Sequence, residues 1–281
     1  MTGIPTGVSL GELEALAVTA AVEAARHVTA RRPPDLATAA TKTSDTDVVT
    51  VMDTAAERLL RTRLLEARPD DAILGEEGSR SPGSSGITWV VDPIDGTVNY
   101  LYGLPGYAVS VAAVVGDLQG AHWHPVAGAV CAPLLGRVWA AHRAGGAWTG
   151  DLDGATRTAL SVSRATLLGQ ALVGTGFSYR PEVRAHQARL LTRVLPAVRD
   201  IRRMGSAAVD LCLVAQGGLD AFYEQELNPW DLAAGWLVVT EAGGLVTGWS
   251  GGRPGPAGVL AGGPDLHPQL IRLLAAAPRA V

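Results

Sequence analysis

The sequence predicts a mixed fold in which an α+β part precedes an α/β part. Apolar runs separated by Gly, Pro and Asp are typical of antiparallel strands and hairpins, and they lie at 107–115, 127–132 and 137–140. From Leu172 the pattern changes to an alternation of short strands and helices, which is typical of an α/β arrangement. The Gly-rich, polar stretch 144–158 is a plausible join between the two parts. We therefore expect parts at residues 1–150 and 151–281.

Two helices open the chain. Leucine and alanine recur at helical spacing in the amphipathic segment Leu10–Ala24. The second helix follows Asp53, and Thr54 and Glu57 match a capping box at its start. Pro69 ends this helix. Asp53 therefore lies near a helix N-terminus, where capping is an ordinary alternative to a functional role.

A short apolar run at 72–75 is followed by the acidic pair Glu76 and Glu77. Adjacent residues of a strand point to opposite faces, so at most one of these side chains enters a shared site by strand geometry. A solvated loop is the alternative interpretation of the pair.

The stretch W-V-V-D-P-I-D-G-T-V-N-Y at 89–100 carries the strongest local signal. It predicts a buried strand with Asp92 and Asp95 at its carboxyl end, followed by Gly96, which permits a close backbone approach to a ligand. Two carboxylates about 4 Å apart repel by roughly 4 kcal/mol, and divalent cations turn that repulsion into binding. Oxygen ligands suit Mg²⁺, and the neighbouring N–H groups suit a phosphate.

In the second half, polar residues follow strands and begin helices. Gly205–Ser206 opens a helix, and a short strand ends in Glu224. The segment N-P-W at 228–230 precedes Asp231 at another predicted helix start, where dipole compensation is the alternative role for this acid. The G-T-G at 174–176 lacks the third glycine of a dinucleotide-binding motif, so we discount a nicotinamide site.

Composition limits the function classes. A hydrophobic content of 47% in 281 residues is sufficient for a sizeable core, and a net charge of −4 without a long basic run argues against nucleic acid. Cys131 and Cys212 are expected to be buried thiols in a reducing compartment. His122 and His124 favour an exposed strand over a metal site. We find no signal peptide and no membrane-spanning run, and expect a cytoplasmic protein.

Taken together, the motifs resemble the inositol monophosphatase family of Mg²⁺-dependent, lithium-sensitive phosphatases. The 89–100 stretch and W-D-L-A-A-G at 230–235, followed by E-A-G-G, are similar to the two signature stretches of that family. The resemblance extends roughly from Leu10 to Leu273. It implies a layered αβαβα sandwich of the sugar-phosphatase type and a protein that is commonly dimeric.

The resemblance also implies a role for each site residue. The metal ligands would be Glu76, Asp92, the backbone carbonyl of Ile94, Asp95 and Asp231. The catalytic residues that orient and activate the attacking water would be Glu76, Thr97 and Asp53. The substrate-binding residues would be Asp95, Gly96, Thr97, Gly205, Ser206, Ala207, Glu224 and Asp231. A flexible loop that helps close over the metals would include Lys42 and Asp47.

The expected reaction is Mg²⁺-dependent hydrolysis of myo-inositol monophosphate to inositol and phosphate. Direct attack by metal-activated water is favoured over a covalent phosphoenzyme as the expected mechanism. Histidinol phosphate, fructose 1,6-bisphosphate and phosphoadenosine nucleotides are alternative substrates on the same fold. The same residues could also belong to a regulatory binding protein, or be unrelated caps and loop acids. We expect a small phosphate ester as partner, a homodimer, no nucleic acid and no membrane.

Overall fold

The computed structural model describes residues 3–33, 40–41, 48–119 and 122–275. The predicted loop residues Lys42 and Asp47 lie outside these ranges. The helices are α1 Leu10–Ala30, α2 Val51–Ala67, α3 Thr97–Tyr102, α4 Pro181–Val194, α5 Ala207–Ala215, α6 Pro229–Glu241 and α7 His267–Ala275. The strands are β1 Ala40–Thr41, β2 Val48–Val49, β3 Ala72–Gly75, β4 Arg80–Ser81, β5 Ile87–Asp95, β6 Ala108–Asp117, β7 His122–Ala132, β8 Arg137–His142, β9 Gly146–Gly150, β10 Arg157–Ala159, β11 Leu172–Thr175, β12 Asp200–Arg202, β13 Ala221–Glu224, β14 Leu245–Thr247 and β15 Val259–Gly262.

Helices and sheets alternate in the αβαβα order that the resemblance implied. Helices α1 and α2 pack on the outer face of an eight-stranded sheet, and α5 and α6 fill the space between this sheet and a five-stranded one. Helices α4 and α7 cover the outer face of the second sheet. Apolar side chains on both faces of each sheet therefore form three stacked hydrophobic cores. The ends of the central strands lie against the middle helix layer.

The eight-stranded sheet has the order β10-β9-β8-β7-β6-β5-β3-β4, with β3 and β5 parallel and the other neighbours antiparallel. Between β5 and β6, Asp92 faces Ser110 and Asp95 faces Ala108, so β5 carries one extra residue in a bulge. Residues three apart in a regular strand point to opposite faces. The bulge, which contains Pro93, allows both acids to reach one site.

The five-stranded sheet has the order β12-β11-β13-β15-β14. Strand β11 is parallel to β12 and β13, whereas β15 runs antiparallel to β13 and β14. The predicted alternation of strands and helices is therefore confirmed for the parallel strands. Glu224 is the last residue of β13 and lies at the strand's carboxyl end, next to the middle helix layer.

Two local predictions are wrong. Helix α2 begins at Val51 rather than after Asp53, and its capping box joins Thr50 to Asp53 instead of Thr54 to Glu57. Thr50 and Thr54 both fit the capping-box pattern. Because β2 ends at Val49, Thr50 is the residue that caps the helix. The stretch 144–158 is more than a join, because it contains β9 and the first two residues of β10 of the first sheet.

The environments of the two cysteines and of two histidines agree with the sequence expectations. Cys131 and Cys212 are buried free thiols, and His122 and His124 lie in β7. Among the helices of the described ranges, none combines the length and the apolar character that crossing a bilayer requires.

Candidate active site and metal centre

Three carboxylates meet where β5 ends beside helix α6. Oxygen atoms of Asp92, Asp95 and Asp231 all lie within 4.8 Å of one another. Asp231 lies in the first turn of α6, and its Oδ2 accepts a 2.7 Å hydrogen bond from the backbone N–H of Asn228. Asp92 Oδ1 accepts a 3.0 Å bond from the Ile94 N–H within the bulge. Local turns therefore hold each acid, and tertiary packing brings the three together.

The electrostatics of this cluster favour a cation. Burial, followed by the charge of Glu76, raises the pKa of Asp92 and of Asp231 well above the usual range. Burial raises the pKa of Asp95 to about 6, against the hydrogen bond from Ser206. Desolvated like charges make the ionised forms costly, and a hard divalent cation would offset that cost. The all-oxygen donor set fits such an ion.

Glu76 joins the cluster from the loop that follows β3. Its backbone N–H donates to the Val91 carbonyl at 3.2 Å, and the charge of its carboxylate contributes to the raised pKa of Asp92. Glu76 lines the neighbouring cavity, and Glu77 is not among the lining residues. This agrees with the expectation that at most one acid of the pair enters a shared site.

Thr97 lies between Asp53 and the bulge. Its Oγ1 is 3.2 Å from Asp53 Oδ1 and 3.0 Å from the Ile94 carbonyl oxygen, and either atom can accept the hydroxyl proton. Asp53 is fully buried, and its Oδ2 accepts from the Thr50 N–H at 2.8 Å and from the Thr50 hydroxyl. Burial raises the pKa of Asp53. Asp53 is thus both a helix cap and the partner of Thr97.

Helix α5 begins directly opposite Asp95. Asp95 Oδ2 accepts 2.6 Å hydrogen bonds from the Ser206 hydroxyl and from the Ala208 N–H. Gly96 has a φ of 91°, and a Cβ at this position would lie 2.8 Å from the Gly106 carbonyl oxygen and 2.9 Å from that of Gly205. Glycine is required here because two loops converge on its backbone.

An open cavity of about 470 Å³ extends from the acids to the end of β13. The predicted substrate-binding residues that line it are Asp95, Gly96, Gly205, Ser206, Ala207, Glu224 and Asp231; Thr97 lies behind Gly96 and is not a lining residue. Burial, and then the charge of Asp210, raises the pKa of Glu224 to about 8. The cavity therefore has a carboxylate cluster at one end and a second acid along its wall.

Sequence reasoning missed several residues of this region. Asp210 is buried in α5, and its Oδ1 has no hydrogen-bond partner among the described residues. Burial raises its pKa to about 8, and the charge of Arg203, which lines the cavity, opposes that rise. A lone acid in the apolar segment A-A-V-D-L-C-L-V-A was the available signal.

The G-T-G segment at 174–176, at the end of β11, leaves space for neighbouring side chains. Its spacing had already argued against a nicotinamide site. Gly174 is the third residue of β11, and Gly176 is the first residue after this strand. A Cβ at Gly176 would overlap the Glu224 carboxylate, and one at Gly174 would lie 3.2 Å from Asp210 Oδ1. The two glycines leave the space that both acids occupy.

Comparison with known proteins gives a consistent result. A sequence model of the inositol monophosphatase family matches residues 9–279. An inositol-1-monophosphatase of Mycobacterium leprae (strain TN) is 46% identical over 281 residues, covering 94% of this chain and 93% of that relative. A solved structure of Mycobacterium tuberculosis SuhB is 43% identical, with a TM-score of 0.80 over 95% of this chain and 97% of that chain. A Nus factor SuhB of Xylella fastidiosa (strain Temecula1 / ATCC 700964) is 39% identical over 206 residues, covering 73% of this chain and 70% of that relative.

Proposed function

Because the chain belongs to the inositol monophosphatase family and is a phosphoric monoester hydrolase, we propose that it hydrolyses myo-inositol monophosphate with Mg²⁺. The observation that supports this most directly is the cluster of Asp92, Asp95 and Asp231 at the end of a cavity that also contains Glu224. The Mycobacterium leprae relative is named an inositol-1-monophosphatase, and the cavity has the polar wall that a ring of hydroxyls requires.

The residues that would hold Mg²⁺ are Glu76, Asp92, the carbonyl of Ile94, Asp95 and Asp231. Bound Mg²⁺ would neutralise the phosphate dianion, lower the pKa of a water molecule and stabilise the leaving alkoxide. Backbone N–H groups at Gly96 and Thr97 would hold the phosphate oxygens. Hydrolysis by this arrangement would need no covalent enzyme intermediate. Trapping a phosphoryl-protein during turnover would contradict direct attack by water.

Side chains of the protein would position the attacking water molecule. In this proposal the Thr97 hydroxyl, oriented by its contact with Asp53, and the Glu76 carboxylate hold the water in line with the phosphorus. Proper placement of a nucleophile supplies a large part of the acceleration in such reactions. Glu224 and the α5 start at Gly205, Ser206 and Ala207 would contact the ring.

Substrate choice within the family rests on the cavity wall. Glu224, the acid along this wall, favours a neutral polyol ring over a second anionic group, and the buried Asp210 lies outside the lining. Arg203 lines the same cavity, so fructose 1,6-bisphosphate is a necessary competitor in any test. Histidinol phosphate and a phosphoadenosine nucleotide are the remaining competitors.

A phosphate-release panel over these four substrates, with Mg²⁺ and with EDTA, tests the proposal. We expect release only with Mg²⁺ and the highest kcat/KM for inositol monophosphate. A higher kcat/KM for another ester, or equal rates in EDTA, would refute the substrate or the metal, respectively. A homodimer and a cytoplasmic location belong to the same proposal, and sedimentation equilibrium measures the former.

The relative named Nus factor SuhB favours a second candidate, which is a regulatory binding role on the same fold. This role does not need phosphate release. A protein that binds Mg²⁺ yet releases no phosphate from any ester of the panel would favour it over catalysis.

A further inference from the structure

Glu57 is a buried acid of helix α2 that none of the roles above uses. Only 2% of its surface is exposed, and it lies at the seventh position of the helix, too far inside for capping. Its Oε2 accepts a 2.7 Å hydrogen bond from the Glu77 N–H, and its Oε1 accepts a 2.9 Å bond from the Ser79 N–H. Both oxygens are therefore bound to the loop that carries Glu76.

We propose that Glu57 is a positioning residue that fixes the 75–79 loop so that Glu76 faces the metal site. This inference rests on the proposed function, because it assumes that Glu76 acts there. Buried carboxylates need partners, and among the described residues no Lys, Arg or His lies within ion-pair distance of Glu57. The loop N–H groups are the hydrogen-bond partners of Glu57. The loop conformation and the buried carboxylate therefore stabilise each other.

Gly75 is the residue that makes this contact possible. A Cβ at this position would overlap the Glu57 carboxyl group. The Gly75 N–H also donates to the Ser79 carbonyl at 2.8 Å, which closes the loop across its base. The loop is therefore closed by its own backbone hydrogen bond at Gly75 and bound to α2 through the Glu77 N–H. Glu76 lies between these two residues.

The same face of α2 also holds the other half of the proposed water site. Asp53 precedes Glu57 by four residues, so the two side chains lie one above the other on the helix. Asp53 contacts the Thr97 hydroxyl, and Glu57 binds the loop of Glu76. One turn of α2 therefore sets the distance between Thr97 and Glu76.

The test compares Glu57→Gln with Glu66→Gln, a control on the same helix whose side chain is 60% exposed. The glutamine amide group would face a loop N–H and lose one hydrogen bond. We expect faster amide exchange at Glu77 or Ser79 by NMR, and a dissociation constant for Mn²⁺, measured by calorimetry, that rises by roughly 10- to 100-fold. The control should change neither quantity.

A folded Glu57→Gln protein with unchanged Mn²⁺ affinity would overturn the inference. If Glu57→Gln fails to fold, Gly75→Ala displaces the same contact from the loop side and must weaken Mn²⁺ binding in its place. Wild-type protein that binds Mn²⁺ but cleaves no inositol monophosphate would refute the proposed substrate alone, so the two failures are distinguishable.

Discussion

The Ser206 hydroxyl donates a 2.6 Å hydrogen bond to the carboxylate of Asp95, although the two residues are 111 positions apart in the chain. Ser206 is also the N-cap of α5, because its oxygen accepts from the Val209 N–H at 3.2 Å. A single side chain therefore fixes the start of a middle-layer helix and the orientation of an acid in the first sheet.

Replacing Ser206 by Ala should affect both properties. Loss of the cap is expected to lower the free energy of unfolding by about 1 kcal/mol. Loss of a hydrogen bond to a charged group, about 1.5–3 kcal/mol, should weaken Mg²⁺ activation by roughly 10-fold or more. Urea unfolding and the Mg²⁺ dependence of kcat measure the two effects. Ser206→Thr keeps the hydroxyl and should restore both; a Thr variant as weak as Ala would contradict this explanation.

Asp95→Asn should remove one charge and one proposed ligand and abolish most turnover. Because Asn is nearly isosteric, the fold should remain intact, which circular dichroism can verify. Steady-state phosphate release over a wide Mg²⁺ range is the measurement. A kcat close to that of the wild type at saturating Mg²⁺ would show that Asp95 is not a ligand.

Glu224→Gln should chiefly change substrate preference. We expect kcat/KM for inositol monophosphate to fall by roughly 2- to 10-fold, since an ordinary hydrogen bond contributes about 0.5–1.5 kcal/mol. A small ester without a ring of hydroxyls should be affected much less. Gly176→Ala should give the same selective loss, because its Cβ would displace Glu224. An equal fall for both esters would exclude the ring-contact role.

Asp210 should make the metal-free protein less stable as the pH rises. Its pKa is raised from 3.8 to about 8 in the folded state, mainly by burial, so between these values the folded state keeps a proton that the unfolded state releases. Stability from this group is present at low pH and is lost as the pH rises towards about 8. A full proton corresponds to about 1.4 kcal/mol per pH unit.

The matching variant is Asp210→Asn, which cannot titrate. Urea unfolding in EDTA at pH 5, 6, 7 and 8 should show a shallower fall of stability for this variant than for the wild type. Glu66→Gln, which removes an exposed acid of α2, should keep the wild-type slope. Parallel slopes for Asp210→Asn and the wild type would contradict the assignment.

Local sequence patterns were sufficient to predict those strands and helix starts that depend on neighbouring residues. Apolar runs that end in acids predicted β3 and β5, and Asn228-Pro229 before Asp231 predicted the start of α6. The signature stretches then implied which acids should converge, and the structure does bring Asp92, Asp95 and Asp231 together.

Features that depend on distant contacts could not be predicted. Thr50 and Thr54 both fit a capping pattern, and the contact of Asp53 with Thr97 lies outside any local window. The 144–158 stretch was interpreted from its glycines, whereas the Trp148 indole N–H donates to Glu14 of α1 at 2.8 Å and helps place β9. Glu57 likewise gains its partners only when the loop after β3 folds against α2.

The bulge of β5 and the first turn of α6 hold acids that belong to distant parts of the amino-acid sequence. During translation, Asp92 and Asp95 leave the ribosome long before Asp231 does, and they cannot enclose an ion by themselves. Any cation held by all three could therefore bind only after the start of α6 has been synthesised, so the metal site would be completed late in biosynthesis.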